Sequence, residues 1–326
     1  MTVTRAELDD SIERLRAEVH DPRAGLYGPS SVSWLVNREL VLFLAGGRAA
    51  LMQLAHPFVA YAVDHRSRAR TDLLGRFQRT FQHVFAMAFG DLDGAIASAR
   101  RVHEIHARVT GPLGETAPPF EAGRAYAAND PSALFWVHAT LVESAVVAFE
   151  LLVRPLTRAE KEQYYEESRR FARLFGIPGG VMPETWTDFA AYNRRMWNTL
   201  RVAQPAIDMG RFLLAPPSLS PPPLARWFER MTAGLLPEPL REQFGLPFGL
   251  RERAAFHASI HAVRAMRRAM PAKARYVPAY HDALRRLAGK PGRDPIGAWI
   301  ERNVLEARLD ASSRDAPPQA PKPPKR

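Results

Sequence analysis

The sequence predicts an all-α fold, a bundle of helices. Apolar residues recur about every 3.6 positions along almost the whole chain, which is the spacing of one helix face. Alternating apolar and polar runs bounded by turn residues, which would indicate strands, do not stand out. Helix-start signals support this reading: Asp130 precedes a proline, and Thr157 and Glu160 have the spacing of a capping box.

These signals place the helices in order. We predict a charged helix over residues 6–20, two helices within 34–65, one at about 70–88, and one at about 92–110 that Asp91 or Asp93 caps. A helix opens at Pro131 and runs to about 153, and the Thr157 capping box opens another that runs to 175. Further helices are predicted near 184–201, 204–213, 222–235, 249–270, 276–288 and 294–309.

Residues 1–310 are predicted to form a single all-α domain. The proline-rich stretch 215–223 predicts a stiff connector, which either sets off a helical C-terminal part (222–310) or lies as a loop within the one domain. Residues 311–326 are rich in proline and charge and predict a disordered tail.

The composition excludes several classes of protein. The chain has 326 residues and no cysteine, which excludes a disulfide scaffold, a cysteine-bound zinc or iron–sulfur site, and a catalytic thiol. The net charge of +11 is a reason to consider a nucleic-acid partner, and 40 of the 45 basic residues are arginine. We take these residues to be spread along the chain, with small clusters at 66–70 and 264–268, and predict no nucleic-acid partner.

Neither a secretion signal nor a transmembrane helix is predicted. The first twenty residues are charged and lack an apolar centre, so we expect a cytoplasmic protein. The most apolar segment, Leu40–Val63, contains Arg48, and an arginine near the centre of a membrane span costs about 2.5–3.5 kcal/mol. We therefore predict a buried helix there, and peripheral contact with a membrane stays open.

Two histidines share one face of the predicted helix 92–110. His103 and His106 follow Ile96 and Ala99 at helical spacing, so both imidazoles point to the same side. An inward neutral imidazole is a natural ligand for haem iron. Alternatively, both rings bond to backbone or carboxylate groups, and spacing alone favours this second interpretation.

Other polar residues lie on apolar faces. Arg76, Arg79 and Thr80 share one side of the preceding helix, where they either line a pocket and hold an anion or bound oxygen, or face solvent. His56 and His138 lie in apolar surroundings, as pocket residues or as satisfied core histidines. His257 and His261 are four residues apart but lack the glutamate of a zinc-protease motif, and phosphate-loop, dinucleotide and serine-hydrolase motifs are missing.

Residues 21–203 resemble the family of the latex-clearing rubber oxygenases and the fungal oxygenase MpaB. The resemblance lies in four stretches of matching order and spacing: GPSSVSWLVNRELVLFLAGGRAALMQLAHPFVAYAVDHRS, GRFQRTFQHVFAMAFG, VHEIHARVTG and YAANDPSALFWVHATL. It implies a globin-like core that holds b-type haem and its iron, and oxygenase chemistry with dioxygen on an apolar small molecule.

The resemblance also implies roles for individual residues. The iron ligand aligns best with His106, with His103 as the rival, and Arg76 and Thr80 match the family's pocket arginine and threonine. Arg79 replaces a lysine that can occupy the distal iron site, a role that arginine does not take over readily. We expect His56 and His103 to shape the pocket, with His138 a further cofactor-binding candidate. The segment upstream lacks the family's proposed glutamate base, which argues against rubber cleavage. The alternative is a helical protein that binds haem or lipid without catalysis.

Overall fold

Helices dominate the computed structural model, which describes residues 2–64, 73–214, 222–290 and 292. The prediction of an all-α protein is confirmed. The α-helices are α1 (Arg5–Glu18), α2 (Val32–Asn37), α3 (Gly46–Leu54), α4 (Pro57–Asp64), α5 (Leu73–Phe89), α6 (Leu92–His106), α7 (Pro131–Leu152), α8 (Arg158–Arg173), α9 (Trp186–Thr199), α10 (Gln204–Leu214), α11 (Pro222–Leu235), α12 (Glu238–Gln243), α13 (Leu250–Ala269), α14 (Ala272–Arg275) and α15 (Pro278–Leu287).

Short elements complete the described chain. Residues Leu40–Ala45 and Gly179–Val181 form 3₁₀ turns. Two three-residue strands, β1 (Thr110–Pro112) and β2 (Ala125–Ala127), pair antiparallel, with Gly111 opposite Tyr126. The segment predicted as helix 92–110 is helical over a shorter length, because α6 stops at His106 and β1 begins at Thr110. The segment 34–65, predicted as two helices, contains the end of α2, a 3₁₀ turn, α3 and α4. Pro57 opens α4 after a turn at His56.

The predicted caps are confirmed. Asp91 accepts from the Gly94 amide, Asp130 from the amides of Ser132 and Ala133, and Thr157 and Glu160 form the reciprocal capping box. The predicted connector lies outside the described residues apart from its last two, with which α11 begins. The predicted helix 294–309 and the predicted tail lie outside them entirely.

Helix α7 is the central element. It packs against α2, α3, α8, α9 and α13, and it carries buried residues all round its circumference. Among the described helices it is the one long and apolar enough to cross a membrane, and 67% of its most apolar window is buried inside the protein. Its apolar character therefore matches its position in the core.

The segment that contains α15 contacts α2 and α5. The Val277 amide donates to the Arg38 carbonyl (2.8 Å), and the Arg38 guanidinium lies 4.5 Å from the centre of the Tyr276 ring. Trp34 contacts the rings of Phe89 and Tyr280 at 5.5 and 5.8 Å. These contacts join the C-terminal helices to the same core that α5 enters.

A buried arginine joins α3, α7 and α11. The Arg48 side chain is 2% exposed, and its guanidinium forms an ion pair with Glu143. It also donates to Ser144 Oγ (2.5 Å) and to the carbonyl of Leu235 (2.8 Å), the last residue of α11. The sequence prediction that the segment around Arg48 is buried inside the protein is thus confirmed, and the charge is compensated.

Replacing Arg48 by methionine should lower the free energy of unfolding by about 3–5 kcal/mol, because Glu143 keeps its charge in the core without a partner. The double variant Arg48→Met with Glu143→Gln should recover part of that loss, because it removes the uncompensated charge. Urea denaturation of the two variants measures both values. An equal loss in the single and the double variant would show that the ion pair is not the cause.

Candidate functional site

The candidate site residues lie on a helical hairpin made of α5 and α6. Gly90 and Asp91 form its turn, where a side chain on Gly90 would lie 2.2 Å from the Ala86 carbonyl. His83 Nδ1 and Ser98 Oγ, each seven residues from the turn, are 2.7 Å apart and fix the antiparallel register. Arg76 stands 14 residues before Gly90 and His106 15 residues after Asp91, so both lie at the open end of the hairpin.

The structure describes only part of the predicted group on α5. Arg76 and Arg79 belong to the helix, but their side chains lie outside the described residues. Thr80 is exposed. His83, one turn further on, contacts Ser98, and burial lowers its pKa, with the nearby Arg101 charge adding to the effect.

The structure distinguishes the two histidines of α6. His103 is buried, and its Nε2 lies 3.0 Å from the carbonyl oxygen of Val3, so a backbone acceptor engages that nitrogen. Asn129 donates to the His103 carbonyl and ties the end of α6 to the start of α7. His106 is the last residue of α6 and is half-buried, with its Nδ1 atom shielded from solvent.

His56 lies in an aromatic corner. Its Nδ1 accepts from the Phe58 amide (3.2 Å), and its ring is 5.3 Å from the rings of Phe58 and Phe120. Burial lowers the pKa of His56 to about 4, so the imidazole is neutral at pH 7.

His138 lies in a different cluster, on α7. Its ring stacks on Phe171 at 5.8 Å, and its buried Nε2 has no hydrogen-bond partner among the described residues. Burial lowers the pKa of His138 to about 4 as well. The structure therefore does not bring His56 and His138 together, although each provides a neutral imidazole.

An apolar cavity of about 100 Å³ borders α5. Phe81 forms part of its wall, and the other lining residues come from the 3₁₀ turn, α3, α10 and α11: Phe43, Gly46, Gly47, Ala50, Leu51, Leu213, Leu214 and Phe228. Gly46 faces open space, because a side chain there would have no neighbour within 4 Å. Gly47 packs against α11, where a side chain would lie 2.2 Å from Thr232 Oγ1.

Sequence reasoning did not identify this cavity, since its wall is assembled from five separate segments. It also missed Asn193 of α9, a fully buried amide whose side-chain nitrogen and oxygen find no hydrogen-bond partner in the part of the chain that the structure describes. No sequence signal marks Asn193, because it differs from other helix residues only in its surroundings.

A wider cleft of about 500 Å³ lies on the outer side of the hairpin. Its lining includes His83, Ser98 and Arg101, but its other charges are already paired: Arg5 with Asp9 and Glu104, and Arg100 with Asp9. This cleft is therefore a polar surface feature in which most charged side chains already form ion pairs.

Within the described ranges no group of three histidine or acidic side chains could hold a metal ion. His257 and His261 of α13 are both exposed. An iron site in the described part of the chain would therefore need ligands beyond these side chains, such as those of a prosthetic group.

The profile of the family described as ER-bound oxygenase mpaB/B'/rubber oxygenase, catalytic domain, matches residues 34–265. The chain belongs to this oxygenase family. The match covers more than half of the chain, from α2 into α13; it begins later than the 21–203 region of the sequence resemblance and extends beyond it on the C-terminal side. No curated protein and no solved structure matches the chain.

The two low-pKa histidines predict acid sensitivity. In the unfolded chain each has a pKa near 6.5, whereas in the native protein each resists protonation until about pH 4. The unfolded state thus binds more protons between these values, so stability should be constant above about pH 6.5 and fall below it, by up to about 1.4 kcal/mol per pH unit for each histidine.

Urea unfolding at several pH values measures this slope. His138→Phe, which keeps the ring contacts, should make the slope shallower, whereas His261→Ala at an exposed position should leave it unchanged. An unaltered slope in His138→Phe would contradict the assignment.

Proposed function

We propose that the protein is a haem b-dependent oxygenase that acts on an apolar small molecule. Family membership supports oxygenase chemistry and dioxygen as a reactant. The observation that carries the substrate class is the apolar cavity walled in part by Phe81, because it adjoins the helix on which the oxygen-handling residues are proposed. Such a cavity favours apolar groups and excludes water.

The donor chemistry of the chain fits a haem. The sequence has no cysteine, so a nitrogen ligand is the natural axial donor. His106 would hold the iron, because it lies at the open end of the hairpin, whereas Nε2 of His103 is engaged by the Val3 carbonyl. His138 has a buried Nε2 without a hydrogen-bond partner among the described residues, but its ring is enclosed by phenylalanines. We therefore rank His138 second as an iron ligand.

Each remaining residue has a proposed task. A bound haem would supply the activation of dioxygen. Arg76 would pair with an anionic propionate, and the permanent charge of Arg79 would favour negative charge in the pocket. The Thr80 hydroxyl would donate to, or accept from, oxygen or water in the pocket. His56, with Nδ1 engaged by the Phe58 amide, and His103 would shape the pocket.

Protein purified after expression with a haem supply should show a Soret band and a b-type pyridine haemochrome. His106→Ala should reduce haem content at least tenfold, while His103→Ala and His138→Ala should keep most of it. Circular dichroism of each variant separates haem loss from unfolding. Full haem loading of His106→Ala would show that the ligand is another residue, and loading without dioxygen-dependent turnover would indicate a haem carrier.

Filling the cavity should abolish the binding of small apolar probes. Gly46→Val places a branched side chain where the wall is open, so xenon binding measured by NMR should be lost. Gly180→Val is the matched control, because Gly180 also has open space around it but lies away from the cavity lining. Equal xenon binding in both variants would refute the cavity's role.

A further inference from the structure

The positive charge of the chain is concentrated in one segment. Residues 250–290 contain ten arginines and lysines but two acidic residues, a net charge of +8, whereas residues 1–249 contain 28 basic and 27 acidic residues. The expectation that the charge is spread along the chain is therefore wrong. The excess lies on α13, α14, α15 and the residues that follow α15.

Part of this charge serves the fold. Arg267 forms an ion pair with the buried Glu39, and Arg264 donates to the carbonyl of Leu151 near the end of α7. Arg286 donates to the carbonyl of Phe89, the last residue of α5. These side chains are committed to contacts within the protein.

Five of the other seven cations face outward. Arg251, Arg253, Arg268, Lys273 and Lys290 are exposed, and none of them forms a salt bridge with a described carboxylate. Two acidic residues share this segment, Glu252 at the start of α13 and Asp282 on α15. We name the four of these cations that lie on α13 and α14, Arg251, Arg253, Arg268 and Lys273, together with the outer face of α13, the basic surface.

Between its charges, the outer face of α13 carries small side chains and two histidines. The inner face buries Phe256, Ile260 and Val263, whereas the outward positions, three or four residues apart, are exposed alanines and histidines: Ala254, His257, Ala258, His261, Ala262 and Ala265. Leu250, at the start of this face, is 88% exposed, far more than a leucine that serves only the core.

We propose that the basic surface docks on a lipid bilayer that contains anionic lipids. Surface helices that lie at a membrane interface combine cations with exposed large apolar side chains, and α13 presents cations beside the exposed Leu250. Each lysine or arginine near an anionic leaflet contributes to the attraction, and the nearly neutral remainder of the chain does not oppose it. A duplex nucleic acid would use the cations but has no use for Leu250, so the bilayer is the better match.

Co-sedimentation of the full chain with vesicles tests the proposal. The protein should bind vesicles of phosphatidylcholine with phosphatidylserine, and not vesicles of phosphatidylcholine alone, and salt should weaken the binding. The double variant Arg251→Glu with Arg253→Glu should lower the partition coefficient about tenfold or more. Leu250→Ser should lower it severalfold at unchanged charge.

The matched control is Arg14→Glu with Arg124→Glu, which changes the net charge equally at exposed positions outside the basic surface. It should bind vesicles like the wild type. Equal losses in the two double variants would mean that net charge, not this surface, drives binding. Binding to a DNA duplex that is insensitive to Leu250→Ser, with no binding to anionic vesicles, would overturn the proposal in favour of nucleic acid. None of these results depends on haem content or turnover.

Discussion

The ion pair between Arg48 and Glu143 is the constraint on which the centre of the molecule depends. A guanidinium that is 2% exposed requires acceptors from several directions, and α7 and α11 supply them. Because Arg48 follows Gly46 and Gly47, the same interaction sets how the start of α3 faces α11. The apolar cavity lies between this same start of α3 and α11, since Gly46, Gly47 and Phe228 are among its lining residues.

The abundance of arginine has a partly structural explanation. Several arginines donate to carbonyls at or near helix C-termini: Arg48 to Leu235, Arg264 to Leu151, Arg275 to Met270 and Arg286 to Phe89. These carbonyls lack partners within their helix and lie at the negative end of its dipole, so a cation with several donors suits them well. The remaining charge is available for the basic surface.

Local signals made the helices predictable, whereas the site depends on distant residues. Asp130 and Thr157 mark helix starts because a cap acts within one turn. His103 and His106 were equivalent in the sequence, since both follow the same helical stripe. The contact of His103 with Val3, a hundred residues away, distinguishes them, and no local pattern encodes it. Strands β1 and β2, of three residues each, are likewise too short to give a periodic signal.

A chain of this oxygenase family presents a helical hairpin with a histidine at its open end and an apolar cavity that borders one helix of that hairpin. We propose that one histidine nitrogen of this chain holds haem iron. X-ray absorption at the iron edge of the purified wild-type protein tests this proposal. We expect a haem iron with an axial imidazole. A sulfur ligand, or a protein purified without iron from cells supplied with haem, would contradict it.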